Sequence, residues 1–103
     1  MNEKILHIDT TDNKKITVSI NNQETVEIVS QDQVLKSQNL LPAIEKLFKK
    51  AKINQTDLTA IKVKTGPGSY TGIRVGLAVA NALAFALGIK VNGKEQETEG
   101  RYE

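Results

Sequence analysis

TGPGSYTGIR, residues 65–74, lies between a short alternating apolar segment and a long apolar one. Three glycines and one proline fall within seven of its residues. Because glycine adopts positive φ at no steric cost and proline presets φ, the stretch predicts a tight strand-to-helix turn. We call residues 65–69 the glycine loop. Its composition indicates that the backbone comes close to a neighbouring group, and the identity of that neighbour is the functional question.

The segments on either side of the glycine loop have the periodicities of a strand and of a helix. Ala60–Thr65 alternates apolar and polar residues, which predicts a strand. Beginning at Ser69 or Thr71, the chain is apolar on almost every helical face as far as Lys90, which predicts a helix buried on more than one side. Small residues recur at every fourth position and form a ridge that allows close packing. This ridge consists of Gly72, Gly76, Ala80, Ala84 and Gly88.

The rest of the chain predicts an α/β fold with a mixed sheet. Lys4–Asp9, Lys15–Ile20 and Thr25–Val29 predict an antiparallel three-stranded meander. Apolar residues at helical spacing predict a first helix over Ser37–Lys52, and a short strand, Ile89–Val91, follows the second helix. The resulting order is β-β-β-α-β-α-β. Its strand–helix–strand–helix–strand end predicts parallel pairing with right-handed crossovers.

Composition excludes several classes of site. The 103 residues carry 14 Lys+Arg and 12 Asp+Glu, and the formal net charge of +2 is too small to indicate nucleic-acid binding. With no cysteine and one histidine, His7, neither a disulfide nor a histidine metal cluster is expected. We expect a cytoplasmic protein with one domain, residues 1–92, and a polar, flexible tail, residues 93–103. Neither a metal nor a cofactor is expected.

Three motifs carry a resemblance to a known family. They are ILHIDTT at residues 5–11, SQNLLPAI at residues 37–44 and GPGSYTGIRVG at residues 66–76. Their order and spacing resemble the N-terminal domain of the TsaB (YeaZ) family. The resemblance implies a single ribonuclease-H-like lobe of the actin-like ATPase superfamily. In that family a second lobe usually follows the final strand, whereas this sequence becomes polar near Gly93. We therefore expect the second lobe to be absent and the chain to supply half of any site between lobes.

The resemblance also implies a function. TsaB proteins are catalytically degenerate relatives of TsaD, and they support TsaD in attaching threonylcarbamoyl to adenosine 37 of transfer RNA. The implied partners are a TsaD-like protein, a second copy of the chain in a homodimer, and TsaE. By this resemblance the chain is a non-catalytic scaffold or dimerisation subunit, and direct contact with transfer RNA is not expected.

The first hypothesis for a site is a helical interface. The apolar face of the first helix and the small-residue ridge of the second would pack against the equivalent helices of a partner. The residues predicted to form it are Leu40, Leu41, Ile44, Phe48, Gly72, Ile73, Arg74, Gly76, Leu77 and Ala80. Arg74 is either a surface residue or an ion-pair partner there. A small-residue ridge also serves membrane dimers, but Asn81 interrupts this one and its apolar run is short, so no membrane span is expected.

The second hypothesis is a nucleotide-binding half-site completed by dimerisation. Asp9, Thr10, Gly68 and Ser69 would surround a phosphate, since N–H groups at a helix N-terminus attract anions. The glycine loop lacks the lysine-serine ending of a Walker motif and the GxGxxG of a Rossmann motif. The alternative is structural: Asp9 forms a turn with its own backbone, and Ser69 or Thr71 caps the second helix. The residues alone leave both readings open.

Overall fold

One mixed sheet carries two helices on one of its faces. The structure, a computed structural model, describes residues 3–21, 23–29 and 35–101. Its elements are β1 (Ile5–Asp9), β2 (Lys15–Ile20), β3 (Glu24–Val29), α1 (Leu35–Ala51), a one-turn 3₁₀ helix (Gln55–Asp57), β4 (Ala60–Val63), α2 (Tyr70–Leu87) and β5 (Lys90–Val91). The strands lie in the order β3-β2-β1-β4-β5. The predicted α/β class with a mixed sheet is confirmed.

Strand pairing brings the β1–β2 turn close to the glycine loop. β2 pairs antiparallel with both β1 and β3, which confirms the predicted meander. β4 pairs parallel with β1, and β5 pairs parallel with β4. Because the C-terminal ends of parallel neighbours meet at one edge of a sheet, the turn after β1 and the glycine loop after β4 lie side by side.

Alternation along the strands divides the sheet into an apolar and a polar face. Leu6 and Ile8 of β1 are buried, while His7 and Asp9 lie on the opposite face. α1 packs on β2 and β3, α2 packs on β1, β4 and β5, and the two helices contact each other. The buried apolar residues form one cluster: Leu6, Ile8, Ile16, Val18, Ile20, Val26, Leu40, Ala43, Ile44, Leu47, Phe48, Leu58, Ile61, Val63, Ile73, Leu77, Ala80, Ala84 and Val91.

The helix boundaries differ slightly from those predicted. α1 begins at Leu35, two residues before Ser37, and the five residues ahead of it, 30–34, lie outside the described chain. Pro42 is therefore inside the helix, where a proline removes one backbone hydrogen bond. α2 begins at Tyr70 with Ser69 as its N-cap, which confirms the earlier of the two predicted starts.

α2 buries one side in the described chain, so the prediction that it is buried on several sides is wrong. The buried side carries Gly72, Ile73, Gly76, Leu77, Ala80 and Ala84. Elsewhere on the helix, Phe85 is 89% exposed. By length and composition α2 is the one described helix that could cross a membrane, with 33% of its residues buried. A core helix of a soluble protein has the same properties, and α2 packs on the sheet.

Residues 93–101 fold back onto the domain, which differs from the expectation of a tail that trails away from it. Lys94 exchanges backbone hydrogen bonds with Val91. Glu97 is buried, and its carboxylate accepts a hydrogen bond from the Asn92 side chain at 3.0 Å. That bond lowers the pKa of Glu97, while burial acts in the opposite direction. The flexibility of the tail stays a prediction, and residues 102 and 103 lie outside the described chain.

Candidate functional site

The glycine loop approaches the β1–β2 turn of its own chain. A Cβ atom on Gly68 would lie 2.5 Å from the carbonyl oxygen of Thr11 and 2.8 Å from its Cβ, which is closer than packed atoms come. The N–H of Ser69 donates to the same carbonyl at 3.1 Å. The close neighbour that the loop composition predicted is therefore the backbone of Thr11, and glycine is required at position 68 because no side chain fits there.

The first turns of α2 are fastened to β1 by Thr10. This residue is fully buried, and its hydroxyl donates to the carbonyl oxygen of Gly72 at 2.6 Å. One turn further along, the α-carbon of Gly76 lies against the Thr10 side chain, and a Cβ atom there would overlap Oγ1. The Ser69 hydroxyl accepts from the N–H of Gly72 at 3.3 Å and so caps the helix. Two of the predicted phosphate residues thus make structural contacts at the start of α2.

Asp9 has the contacts of a turn-forming residue. Its Oδ1 accepts hydrogen bonds from the N–H of Thr11 at 2.9 Å and from the Thr11 hydroxyl at 2.7 Å. Its Oδ2 lies 3.8 Å from the Lys64 ammonium, which is an exposed ion pair of small energetic value. These contacts favour the structural reading of Asp9, in which its carboxylate bonds the backbone two residues ahead.

An open groove of about 530 Å³ remains beside these residues. It is lined by the β1–β2 turn on one side and by the start of α2 on the other. Its lining residues are Thr11, Asp12, Asn13, Gly68, Ser69, Tyr70 and Thr71. Gly68 and Ser69 belong to this groove, whereas Asp9 and Thr10 do not line it. The structure therefore brings together two of the four predicted phosphate residues.

Most residues predicted for the helical interface lie in the interior of the chain itself. Eight of the ten are buried, namely Leu40, Ile44, Phe48, Gly72, Ile73, Gly76, Leu77 and Ala80. Four of the five residues of the small-residue ridge, Gly72, Gly76, Ala80 and Ala84, are buried within the chain, so this part of the ridge is not available to a partner, and only Gly88 at the end of α2 is exposed. Leu41 and Arg74 are exposed. The Arg74 guanidinium donates to the Tyr70 hydroxyl and lies 5.3 Å from the centre of the Tyr70 ring.

A different helical surface is open to a partner. Leu41 of α1 and four residues of α2 line a groove of about 360 Å³, which we call the apolar groove. The α2 residues are Ala78, Val79, Ala82 and Leu83. Leu41 is 51% exposed. The sequence signal for this groove is weak, because α2 is apolar almost all round and several of its exposed residues, such as Ala78, Ala82 and Phe85, are themselves apolar.

Residues able to bind a metal do not come together in the described part of the chain, where no three His, Asp or Glu side chains are clustered. His7 lies on the polar face of the sheet, in a shallow depression shared with Asp9, Ser19 and Lys62. Burial lowers the pKa of His7, and the positive charge of Lys62 lowers it further. Both effects favour the neutral form of this imidazole.

Known proteins resemble the chain in sequence and in fold. Residues 28–93 match a family model described as TsaD, tRNA N6-adenosine threonylcarbamoyltransferase. The tRNA threonylcarbamoyladenosine biosynthesis protein TsaB of Bacillus subtilis (strain 168) is 34% identical over 90 residues, covering 85% of this chain and 39% of that protein. A tRNA N6-adenosine threonylcarbamoyltransferase of Ralstonia pickettii (strain 12J) is 40% identical over 62 residues, covering 60% of this chain and 17% of that protein.

A solved structure shows the same arrangement of elements. YeaZ from Pseudomonas aeruginosa matches with a TM-score of 0.78 and 29% sequence identity, over 86% of this chain and 43% of that one. The chain thus spans about two fifths of the length of the Bacillus TsaB and of the YeaZ chain.

Proposed function

Because the chain belongs to the TsaB/TsaD family, we propose that it is a non-catalytic scaffold supporting a TsaD-like transferase in the threonylcarbamoylation of adenosine 37 in transfer RNA. The observation that carries this proposal is the apolar groove between α1 and α2. Location in the cytoplasm is part of the proposal. The proposal does not include direct contact between this chain and transfer RNA. TsaE is a further partner to test.

The shape and chemistry of the apolar groove fit a helix. Its side chains come from two packed helices, and aliphatic residues at neighbouring helical positions form ridges into which another helix can interdigitate. Among the residues that the structure describes, those lining this groove are all uncharged. Burying such a surface against another apolar helix face is favourable by about 25 cal/mol per Å² of apolar area removed from water.

The family match supports a TsaD-like transferase as the partner that carries a suitable helix. The TsaD family model covers residues 28–93, the stretch that contains both α1 and α2. A TsaD-like transferase therefore has helices equivalent to α1 and α2. Two related helical faces can pack about a pseudo-twofold axis, as identical faces do about a true one. A second copy of this chain is the competing occupant.

Complex formation tests this proposal directly. The purified chain is mixed with the TsaD-like protein of the same genome, and the molar mass is measured by light scattering after size exclusion. We expect a complex with one copy of each protein. A homodimer that excludes the transferase would overturn the supporting role, and two separate monomers would overturn the helical interface.

Nucleotide binding by a half-site is the second candidate function, and the polar groove at the start of α2 is the observation that favours it. Of the predicted phosphate residues, Asp9 and Thr10 lie outside this groove and bond within the chain, and Ser69 in its wall caps α2. We therefore expect no heat when ATP and magnesium are titrated into the protein at high micromolar concentration. Saturable heat in calorimetry would contradict that expectation and support a half-site.

A further inference from the structure

The C-terminal residues make an unusually specific set of contacts for a polar segment. The Asn81 side chain, on α2, accepts from the N–H of Glu97 and donates to its carbonyl oxygen, both at 2.8 Å. A side-chain amide that bonds both backbone groups of one residue holds an extended chain as a neighbouring strand would. We call residues 94–101 the strap and the Asn81–Glu97 pair its middle anchor.

A second asparagine ties the same point of the strap to the sheet. Asn92 accepts from the N–H of Val63 at 2.9 Å and donates to its carbonyl oxygen at 3.0 Å. Its amide also donates to the Glu97 carboxylate at 3.0 Å. Glu97 is thus bonded to α2 through its backbone and, through its carboxylate, to Asn92, which bonds the end of β4. The burial of Glu97 shields these bonds from competition with water.

The far end of the strap lies on the glycine loop. The N–H of Arg101 donates to the carbonyl oxygen of Thr65. Gly66, with φ of +125°, packs so closely on the Arg101 backbone that a Cβ atom there would overlap its carbonyl oxygen. On its other side the loop contacts Thr11 through Gly68 and Ser69. The glycine loop is therefore clamped between the strap and the β1–β2 turn.

We propose that the strap is a built-in conformational device: its middle anchor, together with the bond from Asn92 to the Glu97 carboxylate, holds Arg101 against the glycine loop, and release of these contacts loosens that loop. The two contacts are mechanically linked because Thr98, Glu99 and Gly100 are the only residues between Glu97 and Arg101. The loop also forms one wall of the polar groove at the start of α2, so release of the strap changes the shape of that groove. The proposal does not depend on the proposed function.

Native-state amide exchange of the full chain by NMR tests the coupling. Asn81→Ala removes both hydrogen bonds of the middle anchor at a position where alanine favours the helix. Glu97→Ala removes the carboxylate but leaves the Asn81 bonds to the backbone possible. Glu95→Ala, at an exposed residue of the same strap, is the matched control. The backbone amide of residue 97, present in every variant, reports on the strap. The Ser69 amide reports on the glycine loop, and the β2 amides report on the whole fold.

In Asn81→Ala we expect exchange about tenfold faster at residue 97, as for the loss of one to two net hydrogen bonds, and at least about threefold faster at Ser69. Glu97→Ala should accelerate the same two amides, while Glu95→Ala and the β2 amides stay unchanged. Faster amide exchange at residue 97 with unchanged exchange at Ser69 would overturn the coupling. An equal acceleration of the β2 amides would overturn it too, because the anchor would then support the whole fold, and no acceleration anywhere would overturn the anchor.

Discussion

Gly76→Leu is expected to lower the free energy of unfolding by about 3 kcal/mol or more. Gly76 is buried where α2 crosses β1, and a Cβ atom would overlap the Thr10 hydroxyl oxygen and lie 3.4 Å from the Val63 side chain. A leucine side chain would force α2 away from the sheet. The buried hydroxyl of Thr10 would then lose its 2.6 Å bond to the carbonyl oxygen of Gly72.

The size of this effect follows from the small total stability of such domains. A protein of this length is stable by about 5–15 kcal/mol, so the loss removes a large share of it. Leucine is a better helix former than glycine by roughly 1 kcal/mol, and that gain offsets part of the cost. Urea unfolding followed by circular dichroism measures the difference. A wild-type midpoint in this variant would show that α2 does not lie on β1 as described.

Ala86→Leu is the matched control for Gly76→Leu. It adds leucine to an exposed position of the same helix, so we expect a change in unfolding free energy within about 0.5 kcal/mol. Gly76→Leu should destabilise the chain both on its own and in the presence of a partner. That expectation differs from the one made from the sequence, where Gly76 was predicted to lie at the partner interface.

Leu41→Glu is expected to weaken binding of the TsaD-like partner by about 100-fold while leaving the fold intact. Leu41 lies in the apolar groove and is 51% exposed in the free chain, so glutamate costs little before association. In the complex its carboxylate would be buried among aliphatic side chains without a cation. Ala82→Glu, on the α2 side of the groove, should have a similar effect.

Val29→Glu controls for the added negative charge. Val29 is 69% exposed at the end of the edge strand β3 and does not line the apolar groove. We expect wild-type affinity for this variant in a titration followed by light scattering or calorimetry. Equal weakening by Val29→Glu and Leu41→Glu would point to a general charge effect, and unchanged binding of Leu41→Glu would place the interface elsewhere.

Local pattern was sufficient to predict the elements and the class of the fold. The alternating residues of β2, β3 and β4 predicted strands because side chains along a strand face opposite sides in turn. The proline and glycines at residues 66–68 predicted the strand-to-helix turn, and Ser69 was correctly identified as one of two possible caps. These features depend on a few neighbouring residues, so they are visible without knowledge of the rest of the chain.

Pattern was not sufficient to predict which side of α2 is buried. Leu77 and Phe85 of α2 are both large and apolar, yet Leu77 is buried and Phe85 is 89% exposed. A helix that is apolar almost all round has no polar face to mark its solvent side. The choice was made by Thr10 and Gly76, which are distant in sequence and meet only after β1 and α2 have packed together. The predicted interface was placed on the buried ridge for this reason.

The sequence by itself determined the strands, the helices, the position of the tight turn and the resemblance to a family, because all of these are written in short-range spacing and motifs. Only the tertiary structure decided what the glycine loop touches, which helical face is free and where Glu97 lies. Those outcomes depend on contacts between residues far apart in sequence, such as Gly68 with Thr11 and Glu97 with Asn81. Such contacts form only when the parallel strands bring their ends to one edge of the sheet.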